Sequence, residues 1–277
     1  MSYRLHTGVR YDMPVAFGPS PARDDELGYT VHGAALGFVT EREALEPLVP
    51  PGLEVPDRPV VTVNYQQCRN MTWMGGRGYN LVSVYASAIY RRAGHAVAAP
   101  LGLVIWESDC APIIVGREFL GTPKIHGQIP DADVSRESFG FSVAEYGSPL
   151  LSGSCSAMTP AAERTFDRIA AAGRDMVRLH WKYIPGVGDE PDADYPVAMH
   201  ARTEYQRIWT GTGSLTVGSP DEVAAPYSSR AARALGRLPV VETRPAVALH
   251  ATVDLLRSRT ARLDRDDAAL AALAGTA

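Results

Sequence analysis

A chain of 277 residues with 45% hydrophobic and 21% charged side chains can bury a sizeable core. Its net charge of −4 argues against nucleic acid or an anionic membrane as partner, since both want basic clusters and Arg91-Arg92 is only a pair. Cys68, Cys110 and Cys155 form no CxxC and no even framework, apolar runs such as Pro112-Ile113-Ile114-Val115 fall short of the ~20 residues of a membrane span, and Met1 to His6 lacks a signal-like apolar run, so a soluble cytoplasmic protein is expected.

Residues 1–28 are rich in Pro, Gly and charge and read as an extended N-terminal arm. A strand is expected over Tyr29 to Phe38. Thr40-Glu41-Arg42-Glu43 has the form of a capping box opening a short helix that ends near Pro47. Val60 to Tyr65 is β-branched. Leu81 to Tyr90 alternates, with Leu81, Ser83 and Tyr85 on one face and Val82, Val84 and Ala86 on the other. Leu101 to Trp106 reads as a buried strand, and Pro112 to about Gly121 as helical, with Thr122 extended because Pro123 follows it. Further strands are expected at Phe139–Tyr146, Leu150–Met158, Leu179–Ile184 and Met199–Trp209. Thr159-Pro160 should start a helix ending near Gly173, and Ser219-Pro220-Asp221-Glu222 another. Val247, Leu249, Ala251, Val253 and Leu255 form the inward row of a late strand, and the Ala-rich tail from Asp266 suits a solvated or interface helix. Many strands with scattered helices give an α+β fold, largely antiparallel, with residues 1–277 as one domain.

The stretch Gly116-Arg117-Glu118-Phe119-Leu120-Gly121-Thr122-Pro123-Lys124 carries the chemistry. Pro123 fixes the backbone before Lys124, and Ile113, Ile114, Val115, Phe119 and Leu120 can build a dry wall. Desolvation disfavours an ammonium, so a lysine held there is expected to serve as an amine nucleophile toward ketones. The iminium it forms is an electron sink, able to take the pair left by departing CO2 or by a proton lost from the adjacent carbon. Arg117, seven residues upstream, has the planar fork that binds a substrate carboxylate. Glu118 is a candidate proton carrier, with an Arg-Glu brace of helix against sheet as the bland alternative. Tyr79 and Tyr85 are candidate hydroxyl donors to substrate, and His126, two after Lys124, shares its strand side. The seven histidines show no metal-ligand spacing. Neither a Gly-x-Ser-x-Gly elbow nor a dinucleotide fingerprint is present.

Val115-Gly116-Arg117-Glu118 with Pro123-Lys124 resembles the active-site segment of acetoacetate decarboxylases. The likeness continues in order through Leu48-Val49-Pro50-Pro51-Gly52-Leu53-Glu54, Lys182-Tyr183-Ile184-Pro185, Trp209-Thr210-Gly211 and Leu238-Pro239-Val240, so it covers most of residues 30–255. It implies a cone-like closed β-barrel with peripheral helices, a Schiff-base lysine at Lys124, no metal, no organic cofactor and a homo-oligomer. Acetoacetate decarboxylase is itself a known example of a lysine activated by desolvation or a neighbouring cation. Four family positions differ here. The second lysine falls on Ile125, the acidic residue of the Tyr-x-Glu strand on Leu81 (Tyr79 being retained), an arginine near Val31 or His32, and a second glutamate near Asn64.

The amine is therefore kept while the groups that hold a 3-oxo acid are replaced. The expected function is a lyase in which Lys124 forms an iminium with a pyruvate-like 2-oxo acid, condenses it with an aldehyde and eliminates water. Decarboxylation of acetoacetate or another 3-oxo acid is the alternative within the same chemistry. A small-molecule-binding barrel without catalysis is the alternative outside it.

Overall fold

The computed structural model describes residues 5–7, 9, 11–19, 28–135 and 138–274. Much of the expected arm, including residues 20–27, lies outside the described residues.

The strands are β1 (Tyr29–Val39), β2 (Leu53–Glu54), β3 (Val60–Arg69), β4 (Tyr79–Arg92), β5 (His95–Glu107), β6 (Lys124–His126), β7 (Asp133–Val134), β8 (Phe139–Glu145), β9 (Ser148–Pro160), β10 (Met176–Ile184), β11 (Ala193–Val217), β12 (Glu242–Thr243) and β13 (Ala246–Arg262). Between and after them lie the short helices α1 (Arg42–Leu45), α2 (Cys110–Val115), α3 (Glu163–Gly173), α4 (Ser229–Leu235) and α5 (Asp267–Ala274).

One sheet holds all of these strands. Its main path runs β10-β5-β4-β3-β1-β13-β11 and returns on itself, because β10 pairs with both β5 and β11. The result is a ring of strands, from which β9, β8 and β7 continue outward beside β11. The pairing is antiparallel apart from β10 with β5 and β5 with β6, which are parallel.

Side chains alternate across each strand, so the ring has an inner and an outer face. Outward residues such as Leu36, Phe38, Val61, Val82, Val84 and Trp106 pack with Phe139, Phe141 and Leu235 into the largest core. Fully burying a side chain of this kind contributes roughly 1.5–3 kcal/mol. Inward residues, Tyr29, Val31, Tyr79, Leu81, Tyr85, Ile105 and Val253 among them, make a second, smaller cluster that lines the interior.

Several local expectations need correction. Thr40 does not cap α1: the helix starts after Glu41 without a side-chain cap, and the buried Thr40 hydroxyl has no hydrogen-bond partner among the described residues. Thr159 and Pro160 close β9, and α3 starts three residues later at Glu163, because Thr159 and Pro160 pair with Thr210 and Trp209 of β11. The Ser219–Glu222 segment makes a turn in which the Asp221 carboxylate accepts from the amides of Val223 and Ala224, and the helix waits until Ser229. The C-terminal helix is docked: Leu270 and Leu273 are buried with Leu101, Leu179 and Leu263. Among the described residues, no helix is long and apolar enough to cross a membrane.

Candidate active site

The segment that follows β5 delivers a lysine to the ring interior. The Asp109 carboxylate accepts from the amide of Ala111 at 2.8 Å and starts α2, whose first turn tolerates Pro112. At Gly116 the helix widens into a π-type turn through Leu120, a feature that recurs at functional sites. Gly121, at φ 68°, ends that turn in the left-handed conformation that suits glycine. Thr122 and Pro123 are then extended, and Lys124 opens β6 parallel to β5, opposite Ile105.

This register puts Ile105, Glu107 and Lys124 on the same face. The Lys124 ammonium nitrogen lies 2.8 Å from Oε1 of Glu107, with 12% of the lysine side chain and 0% of the glutamate side chain exposed. Lys124 Nζ also donates to the carbonyl of Pro112 at 3.2 Å. The Glu107 carboxylate faces both the Lys124 ammonium and the Tyr79 phenol, which hold it in place. Burial pushes the Glu107 carboxyl above its usual range, against the opposing pull of Lys124. The Tyr79 phenol lies against the same carboxylate and is pushed well up, first by burial and then by the Glu107 charge, so it remains a neutral donor.

Gly116 makes room for this arrangement. A methyl group there would overlap Cδ of Lys124 and lie 2.6 Å from its Cε and from Oγ1 of Thr122. Glycine is therefore required so that the lysine stem can run over the helix end.

The pair closes off an inner cavity of about 50 Å³, lined also by Gln66, Tyr79, Ser83, Tyr85, Thr122 and Arg178. At ~10–15 Å³ per enclosed water, it has room for a few heavy atoms. Arg178 reaches it from β10, with its guanidinium 5.3 Å from the centre of the Tyr85 ring, and no carboxylate pairs with it among the described residues. Tyr29 and Tyr85 also line the cavity, and burial raises both phenols.

Of the residues singled out from sequence, the structure brings Lys124, Tyr79 and Tyr85 to one cavity. Arg117 turns back on the backbone, donating from Nη1 to the carbonyl of Lys124 at 3.0 Å, and does not line the cavity. The Glu118 side chain is exposed, and its backbone carbonyl accepts from Lys182 Nζ at 2.5 Å. His126 is exposed on the edge of β6. Sequence reasoning missed Glu107, Arg178 and Gln66. Glu107 had a usable signal: it lies two after Ile105 at the end of a buried strand and so shares the face of that residue.

His180 sits beside the site, its ring centre 5.9 Å from that of Tyr85, with neither nitrogen hydrogen-bonded among the described residues. Burial, then Arg178 and Lys124, push its pKa from 6.5 down to about 3. The folded protein thus holds it neutral while the unfolded chain binds a proton. That stability is complete above pH ~6.5 and is lost as pH falls toward ~3. In urea unfolding, the wild type should lose roughly 3 kcal/mol more than His180→Phe between pH 7 and pH 4. Parallel pH profiles of the two proteins contradict this reading of the ring.

A family profile described as acetoacetate decarboxylase (ADC) matches residues 12–263. The chain belongs to the acetoacetate decarboxylase family. Comparison with curated proteins gives no match. Among solved structures, an acetoacetate decarboxylase from Legionella pneumophila subsp. pneumophila str. Philadelphia 1 aligns with a TM-score of 0.67 at 16% identity, covering 91% of this chain and 96% of the other. An acetoacetate decarboxylase-like enzyme from Sphingomonas wittichii RW1 aligns at 0.64 with 17% identity, covering 87% and 94%. The enduracididine biosynthesis enzyme MppR, complexed with the condensation product of pyruvate and imidazole 4-carboxaldehyde, aligns at 0.61 with 18% identity, covering 89% and 94%. At these identities the likeness is one of fold.

Within the acetoacetate decarboxylase family, the positions that differ in this chain now have locations. Ile125 points away from Lys124 and packs on the outer core. Leu81 lines the inner cavity and is paired directly across the sheet with Glu107. Asn64 faces the ring interior, and His32 is exposed, its ring stacked 3.8 Å from that of His250.

Proposed function

We propose that this chain is a Schiff-base-forming lyase that condenses a small 2-oxo acid such as pyruvate with an aldehyde and then eliminates water. The observation that carries the reading is the Lys124–Glu107 pair, 2.8 Å apart and facing an inner cavity also lined by Arg178, which has no carboxylate partner among the described residues. Leu81 occupies the position of the family's acidic residue, and Glu107 stands opposite it on the next strand. The carboxylate is thus supplied from the neighbouring strand.

Arg178 binds the substrate carboxylate, its planar fork matching the two oxygens. Glu107 takes a proton from the Lys124 ammonium, which its raised carboxyl favours, and leaves the free amine beside a neutral acid. The amine attacks the ketone carbon, and protonation of the resulting hydroxyl by Glu107 releases water and leaves the iminium. The Glu107 carboxylate next removes a methyl proton to give the enamine. The enamine carbon attacks the aldehyde carbonyl, a C–C bond forms, and the aldehyde oxygen takes a proton. Loss of that hydroxyl as water, with the second proton of the former methyl, gives the double bond. Water then adds to the iminium, releasing the unsaturated 2-oxo acid and restoring the amine. The net change is one C–C double bond and one water per pair of substrates. Tyr79 and Tyr85, neutral through burial, donate hydrogen bonds to substrate oxygens.

The MppR complex with pyruvate and the complex with its condensation product support this chemistry on a related fold. The test is a parallel assay of pyruvate plus an aldehyde, followed by absorbance of the conjugated product, and of acetoacetate, followed by CO2 release. Product from the first pair and little CO2 is the expected outcome. CO2 release with no condensation product makes the chain a 3-oxo acid decarboxylase instead.

The room that Gly116 leaves yields a further prediction. Gly116→Ala should slow pyruvate adduct formation by roughly 100-fold, because displacing a reacting group by ~1 Å costs that much. The readout is the mass of the borohydride-reduced protein as a function of time, with circular dichroism as a check on folding. Unchanged kinetics contradict the role given to this glycine.

A further inference from the structure

Tyr29, Gln66, Tyr85 and Arg178 line two cavities at once. Beside the inner cavity of about 50 Å³ lies an outer chamber of about 450 Å³, and these four side chains stand at the boundary between the two. The outer chamber is within the ~300–1,000 Å³ of ordinary small-molecule sites. Its wall is mostly apolar, with Val247, Leu249, Ala251 and Val253 of the inward row of β13, Met176 of β10 and Ile169 of α3, while Thr62, Asn64, Ser87, Thr203 and Tyr205 add polar groups on other sides. Among the described residues no Asp or Glu lines it, and its one cation is Arg178 at the junction.

We propose that the outer chamber binds the acceptor aldehyde, and that this aldehyde is neutral with an aromatic or long alkyl body. The inference rests on the condensation reading above and names its second substrate. The inner cavity has room beside Lys124 for the reacting carbonyl of the 2-oxo acid but not for both partners. The chamber is nine times larger and shares four lining side chains with it. A polyhydroxylated aldehyde would set some of its hydroxyls against the β13 row, whose side chains offer them no partner. A second carboxylate would compete with the 2-oxo acid for Arg178. An apolar body is stabilised along the same wall, while the carbonyl end points back to the junction, where the Gln66 carboxamide can donate to its oxygen.

The test compares benzaldehyde, glycolaldehyde and glyoxylate as acceptors with pyruvate. Benzaldehyde is expected to exceed the other two by roughly 100-fold in kcat/KM. Thr62→Phe and Ala251→Leu, which fill the chamber from two strands, should cut benzaldehyde turnover by at least about 10-fold. The pyruvate adduct should still form in both. Binding of benzyl alcohol, an unreactive stand-in, is measured by calorimetry on the same proteins, and this readout needs no iminium. Saturable binding that either filling variant weakens supports the chamber assignment even if pyruvate never traps, a result that would sink only the condensation reading. Glycolaldehyde or glyoxylate turned over as well as benzaldehyde, or binding of benzyl alcohol no stronger than of glycerol, overturns the proposal.

Discussion

Glu107→Gln is expected to slow pyruvate adduct formation at pH 7 by roughly 10²–10⁴-fold, the range of a positioned acid–base group. Glutamine keeps the volume and one acceptor oxygen but cannot take the ammonium proton or return it to the departing hydroxyl. The carboxylate is fully buried and touches Lys124 at 2.8 Å, and among the described residues no second carboxylate lines the inner cavity to replace it. The pH profile carries the more specific signature. Burial raises the Glu107 carboxyl, so the wild-type rate should fall as pH drops through that raised value, where the acid is already protonated. The glutamine variant should lack that limb, and Glu107→Asp should restore the limb with a reduced rate. An effect under about 3-fold, or an unaltered profile, removes Glu107 from the proton path.

Arg178→Leu is expected to raise KM for pyruvate by roughly 10²–10³-fold, the consequence of losing a charged partner worth 2–5 kcal/mol on truncation. The guanidinium has no carboxylate partner among the described residues and lines the junction of both chambers. Acetone separates recognition from general damage, because it has the ketone and lacks the carboxylate. Trapping of acetone should change little in Arg178→Leu while trapping of pyruvate collapses. Arg178→Lys should recover part of the loss, since a point charge lacks the two-pronged geometry. Equal losses for both ketones would make Arg178 structural, through its contact with the Tyr85 ring.

Much of the ring was legible because period-two alternation is a local signal. The face of Leu81, Ser83 and Tyr85 and the row from Val247 to Leu255 both line the interior, as their spacing implies. Lys124 was legible through Pro123 and the family segment around it. The role expected of Arg117 rested on helical spacing to Lys124, which the wide turn over Gly116–Leu120 changes, and that of Glu118 rested on burial. Arg117 is drawn to the Lys124 carbonyl, and the Glu118 side chain is turned to solvent. The partner of the lysine lay on another strand, and cross-strand register is set by the whole ring. Only the parallel pairing of β5 with β6 brings Glu107 beside Lys124, and only ring closure by β10 brings Arg178. Where the family has a second lysine, Ile125 faces the outer core. The cation that shares the cavity with Lys124 comes instead from a residue 54 positions away, 178 − 124.

Lys124 and Lys182 are the only lysines in the sequence, which makes covalent trapping unusually clear. Borohydride reduction in the presence of pyruvate, followed by peptide mapping, should find one adduct, on Lys124, absent from Lys124→Ala. An adduct on Lys182, which reaches out to the Glu118 carbonyl, or no adduct with either pyruvate or acetoacetate, contradicts a Schiff-base enzyme built on Lys124.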